Sequence, residues 1–140
     1  MPDETHGSTI VIRDIESFSE LRAVEALQKE VWGCADLDVV PFTMFVAGRE
    51  VGATLIGAYD GSSLVGFVYG FTGYENGHLT HHSHMLAVRP SYRNHKLGFK
   101  LKLAQVLVKA LFVTNEFGVA AAFNNMALFK HDDLIRFANG

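Results

Sequence analysis

The 140 residues are 49% apolar and 19% charged, a balance that supports a globular domain with a real core and excludes a disordered chain. A formal charge of −3, with basic residues dispersed except between Arg89 and Lys102, leaves no broad cationic surface for the phosphate backbone of nucleic acid. Cys34 is the only cysteine, which excludes an intrachain disulfide and a thiolate metal cluster, and no apolar run approaches the roughly 20 residues that cross a bilayer. The start, Met1-Pro2-Asp3-Glu4, is acidic and lacks the pattern of a secretory leader. A cytoplasmic protein with neither nucleic acid nor membrane as partner is therefore expected.

Ile10-Val11-Ile12 is a β-branched run that predicts a strand. Ser17 and Glu20 then have the spacing of a capping box, in which hydroxyl and carboxylate each satisfy a free backbone N–H. Leu21, Val24, Leu27 and Val31 follow at three- and four-residue spacing, which predicts an amphipathic helix ending at Gly33. Pro41 suits the first turn of a second helix with Phe42, Phe45 and Val46 on its apolar side. Residues 53–59 and 64–70, separated by the Asp60-Gly61 turn, predict a β-hairpin, and residues 79–88 predict a further strand stopped by Pro90. Helical periodicity resumes at Ser91, with Leu97, Leu101, Ala104 and Val108 on one side. The order is β-α-α-β-β-β-α. Beyond Leu111 local pattern fits both strand and continued helix, and Gly118 with the apolar run 119–123 suits a buried strand.

The chemistry concentrates where the strand 79–88 passes through Arg89-Pro90 into the next helix. The first N–H groups of a helix lack intrahelical acceptors and lie at the positive end of its dipole, so they form an anion site. Arg93, Lys96 and Lys100 crowd that end, an arrangement that is unfavourable unless an anion offsets it. From composition alone an ordinary solvated basic helix face is the commoner reading.

The run Val88-Arg89-Pro90 followed by Arg93-x-x-Lys96-x-Gly98, placed after that element order, resembles the cofactor motif of the GNAT superfamily. With Val31-Trp32-Gly33 and Ser83-His84-Met85-Leu86 it is similar to a family of predicted GNAT acetyltransferases, over about residues 10–105. The resemblance implies an α/β (α+β) fold with a mostly antiparallel sheet flanked by helices, as a single domain over residues 8–123. It implies acetyl-CoA as cosubstrate and an amine as acceptor. It implies too that Leu86, Ala87 and Val88 pair with the pantetheine arm like another strand, while Arg93, Asn94, His95, Lys96, Leu97, Gly98 and Phe99 hold the pyrophosphate. Lys96 stands where the pattern has a glycine, as an obstruction or as a phosphate partner.

His78, His81, His82 and His84 form a second cluster. Strand alternation puts His82 and His84 on one face and His81 on the other, so no metal site is expected. A histidine as a class suits the removal of a proton from an amine, and His84 is the candidate catalytic base, with Glu75 as the alternative. The resemblance implies a tyrosine acid at a place where this chain has Phe129, which has no proton to give. Residues 124–140 are expected to form a divergent or truncated tail, and a sheet left incomplete there would expose an edge suited to homodimer formation. A CoA-binding domain with weak or no catalysis is the alternative to an active transferase.

Overall fold

The computed structural model describes residues 9–117, with side-chain surroundings through Ala110. In chain order the elements are β1 (Ile10–Asp14), α1 (Phe18–Trp32), a 3-10 turn (Asp36–Asp38), α2 (Phe42–Glu50), β2 (Thr54–Asp60), β3 (Ser63–Glu75), β4 (His78–Val88), a 3-10 segment (Pro90–His95) and α3 (Leu97–Phe117). The four strands pair in sequence order, each antiparallel to the next, so β1 and β4 are the edges among the described residues. No single helix among these residues is long and apolar enough to cross a membrane.

Local chemistry accounts for the boundaries. Ser17 and Glu20 close both halves of the capping box at the start of α1, and Gly33 ends it at φ 66°, a left-handed conformation that suits a residue without Cβ. Pro41 takes the N-cap of α2 rather than its first turn, and the Glu25 carboxylate on α1 accepts from the Phe42 N–H at 2.6 Å. The Gln28 amide donates to the Val40 carbonyl and accepts from its N–H, which fastens the connection between the two helices to α1.

Strand alternation divides the core between the two faces of the sheet. Leu55, Phe67 and Tyr69 pack with Leu21, Val24, Leu27 and Phe45 beneath α1 and α2, whereas Ile56, Val65 and Val68 pack with Leu97 and Leu101 of α3. Each large apolar side chain so buried contributes about 2 kcal/mol.

Two readings of the sequence are corrected, and one left open between strand and helix is settled. The helix after β4 begins at Leu97 rather than among residues 91–93, because Lys96 takes φ 53°, a left-handed conformation that interrupts helical geometry. Its buried stripe is Leu97, Leu101, Gln105 and Lys109, while Val108 is exposed. Residues 112–117, which fit strand or helix by local pattern, continue α3. Residues 119–123 and Phe129 lie outside the described residues.

One irregularity shapes the site. Tyr69 pairs with Met85 but the next residue, Gly70, pairs with Ser83, so His84 is an extra residue in β4 and the strand is bulged there. The bulge resets the alternation. Met85 and Ala87 join the core beneath α1 and α2, and Leu86 and Val88 join the core beneath α3.

Candidate active site

β3 covers one side of Leu86, Ala87 and Val88 by pairing with Val68, Phe67 and Gly66, and no strand lies along their other side among the described residues. An extended group can therefore add to β4 there by backbone hydrogen bonds. Immediately beyond, the turn is anchored on three elements. The Arg89 N–H donates to the Val65 carbonyl at 2.8 Å, the Arg89 guanidinium donates to Glu30 of α1 at 2.8 Å, and the Tyr92 hydroxyl donates to the Asp60 carboxylate at 2.6 Å.

His95 ends the right-handed 3-10 segment and Lys96 is left-handed, a succession that gathers consecutive N–H groups into an anion-binding concavity. The N–H groups of Leu97, Gly98 and Phe99 follow at the start of α3, and no side chain caps them among the described residues. Asn94, His95, Lys96, Phe99 and Lys100 are exposed around this point. Arg93 is exposed too, and its Nε reaches back to the Val88 carbonyl at 3.3 Å, tying the basic turn to the end of β4. A Cβ on Gly98 would meet only Leu86 and Val88 side-chain atoms, at 3.4 and 3.8 Å, which is ordinary contact. The fold therefore has room for a side chain at 98.

The histidines separate as alternation predicts. His82 and His84 lie on one face, with ring centroids 5.2 and 5.6 Å from that of Phe71, and Tyr69 completes an aromatic wall 6.3 Å from His84. His81 lies on the α3 face. Among the described residues no group of three or more His, Cys, Asp or Glu side chains could hold a metal ion. Glu75 pairs with His78 at the turn end of the β3–β4 ribbon. Six residues of strand separate His78 from His84, about 20 Å at the usual rise. The structure does not bring His84 and Glu75 together.

A polar layer beneath α3 escaped the sequence reading. The Ser83 hydroxyl donates to Gln105 Oε1 at 2.9 Å, Gln105 Nε2 donates to Thr54 Oγ1 at 3.4 Å, and Thr54 Oγ1 lies 3.3 Å from His81 Nε2. Lys109 donates to the Gly52 carbonyl and to Thr72. Burial, with the neighbouring Lys109, Lys102 and His82 charges, pushes the His81 pKa down to about 4 and keeps the ring neutral. Spacing was the available signal, since Gln105 and Lys109 continue the four-residue interval of Leu97 and Leu101.

The sequence profile of the Acetyltransferase (GNAT) family matches residues 16–127. The chain belongs to that family. The match continues past residue 105, so residues 106–127 also fit the family profile. Solved structures agree on the fold. A GCN5-related glucosamine N-acetyltransferase region of a fungal multi-domain GH3 β-N-acetylglucosaminidase is similar with a TM-score of 0.59 at 21% identity, over 71% of this chain and 12% of that one. A Trypanosoma brucei acetyltransferase is similar with a TM-score of 0.58 at 20% identity, over 71% of this chain and 74% of that one. An aminoglycoside 6′-N-acetyltransferase complexed with coenzyme A is similar with a TM-score of 0.54 at 18% identity, over 75% of this chain and 56% of that one. A search of curated proteins finds no match.

Proposed function

We infer that this chain transfers an acetyl group from acetyl-CoA to an amine. The observation that carries the reading is the continuity of a bulged edge strand with an uncapped helix start, which gives one extended ligand a backbone edge at one end and an anion site at the other. Leu86, Ala87 and Val88 take the pantetheine arm. The N–H groups around Lys96 to Phe99 take the pyrophosphate, with Lys96 and Lys100 adding charge. The outer edge of β4 is thus given to the cosubstrate.

Acetyl-CoA supplies an activated thioester, and the chain's own groups do the rest. The bulge leaves backbone at His84 and Met85 out of the regular ladder, where an N–H can polarise the thioester carbonyl. The amine nitrogen bonds to the carbonyl carbon as the carbon–sulfur bond breaks. His84, exposed beside Phe71 and His82, takes the amine proton directly or through a water. Glu75 is too distant for that role. The thiolate needs little help to depart, because a thiol's pKa lies not far above neutrality.

Titration calorimetry with acetyl-CoA, followed by measurement of free-thiol release across an amine panel, tests the proposal. Saturable binding with amine-dependent thiol release is expected. Binding without release toward any amine would make the chain a CoA-binding domain, and absence of binding would refute the reading altogether.

A further inference from the structure

α3 runs back along β4, so its length brings successive residues past successive strand positions. Leu97 and Gly98 lie by Leu86 and Val88, Gln105 lies by Ser83, and Lys109 reaches Gly52 and Thr72. The helix face turned to the sheet is apolar for two of these steps and then becomes polar at Gln105, which is 1% exposed. A leucine there would fill similar space without an amide to satisfy, since an unmet buried amide costs about 1–3 kcal/mol. What the amide adds is direction. It fixes Ser83 on one side and Thr54 on the other.

Ser83 is the residue immediately before the extra residue of the bulge. Opposite it stands Gly70, where a Cβ would come within 2.6 Å of both Gln105 Nε2 and His81 Nε2 and within 2.8 Å of the His82 carbonyl oxygen. The sheet has been left bare at this point, and the vacated volume is where the Gln105 amide and the His81 ring lie. Glycine and amide together therefore hold the strand at the residue where its register slips.

We propose that Gln105, acting through Ser83, is a positioning residue that holds the His84–Met85 bulge at a set distance from the start of α3. The proposal rests on the functional reading above, in which the start of α3 holds the phosphates and the bulge holds the thioester. Eight residues of rigid helix, about 12 Å, separate Leu97 from Gln105, so pinning Gln105 to Ser83 sets the span between those two ends. A loosened pin leaves phosphate binding intact and lets the carbonyl donors wander. Catalysis that depends on near-attack geometry then falls while cosubstrate affinity does not.

The test uses the full chain with Ser83→Ala, Ser83→Thr, Gln105→Leu and the Ser83→Ala/Gln105→Leu pair. Amide hydrogen exchange at His84 and Met85 is measured together with CoA affinity and with kcat on an amine that the native chain acetylates. Ser83→Ala is expected to raise exchange and lower kcat, each about tenfold, at unchanged CoA affinity. Ser83→Thr, which keeps the hydroxyl, is expected to restore both, and the double variant to be no worse than Gln105→Leu alone. Unchanged exchange in a folded Ser83→Ala chain overturns the proposal, as does raised exchange with undiminished kcat, or a loss of CoA affinity as large as the loss of kcat. A native chain inactive toward every amine would sink the functional reading instead, and the exchange measurement would then decide the clamp alone. Ser83→Ala removes one hydroxyl, so the result does not depend on Gln105→Leu folding.

Discussion

Among the described residues, side chains close the N-termini of two α-helices and leave that of the third open. α1 has Ser17 and Glu20, and Glu20 is further held by Arg13. α2 has the Glu25 carboxylate on its first N–H. α3 has neither hydroxyl nor carboxylate at its start, only a left-handed Lys96 and exposed basic side chains. A helix end met by a carboxylate of the chain is finished as structure, whereas one left open to solvent and ringed with cations favours an anion from outside.

The largest expected effect breaks that contrast by giving α3 the partner it lacks. Gly98→Glu puts a carboxylate and its bulk at the open end, and CoA affinity should fall by about 2 kcal/mol, roughly thirtyfold. Since a Cβ at 98 meets only ordinary contacts, the variant should remain folded, and calorimetry beside a thermal unfolding curve checks both statements. Unchanged CoA affinity in the folded variant would remove the anion site from α3.

The contrast also explains what was legible in the sequence. α1 could be read from end to end because its hydroxyl, its carboxylate, its apolar stripe and its terminal glycine each act within a few residues of chain. The hairpin around Asp60-Gly61 and the end of β4 at Val88-Arg89-Pro90 were legible for the same reason. The bulge was not, because a one-residue slip between β3 and β4, beside the Gly70–Ser83 pair, is a property of the pair, and neither strand marks it alone. Gln105 and Lys109 were passed over because polar side chains are usually exposed, and only the tertiary partners Ser83, Thr54, Thr72 and Gly52 make their burial tolerable. By sequence Glu75 is the alternative base because it lies near His84 in the chain, but it pairs with His78 at the far end of the β3–β4 ribbon.

Acid should separate the two sides of the sheet. Arg13 first, and then the Ser17 N–H, hold the Glu20 carboxyl down to about 2 against an ordinary value of 4.5, so its contribution is lost only as pH falls below 4.5. The folded His81 titrates at about 4 against an ordinary 6.5, so protons favour the unfolded chain as pH falls from 6.5 toward 4. Allowing for its partial exposure, this costs about 1–2 kcal/mol. Urea unfolding at pH 7.5 and at pH 4.5 should show that loss, and His81→Asn should flatten it. An equal pH slope in the variant would acquit His81.

Removing a finished end should do the reverse of Gly98→Glu. Ser17→Ala deletes the hydroxyl that accepts from the Glu20 N–H and should lower stability by about 1 kcal/mol while leaving CoA affinity unchanged. Denaturant midpoints at equal slope, beside the same calorimetry, measure both quantities. A drop in affinity would mean that the two helix ends are coupled through the sheet.

The smallest expected effect is the most discriminating, because one substitution should move stability and binding in opposite directions. Lys96 has φ 53°, a conformation that disfavours a residue with Cβ by about 1 kcal/mol, and the glycine of the family pattern would hold the same turn without that strain. Lys96→Gly should therefore raise the unfolding midpoint. The side chain is exposed and the N–H concavity is already formed with lysine present, so obstruction of the backbone is the weaker expectation and loss of a phosphate-pairing ammonium the stronger one. CoA affinity should then fall about threefold, as for a solvent-screened ion pair, and the fall should shrink in high salt. Tighter binding with greater stability would assign Lys96 the other role, a barrier across the site that glycine removes. Salt decides between the two roles, since a steric barrier does not respond to ionic strength, whereas an ammonium facing phosphate loses its advantage as the Debye length shrinks.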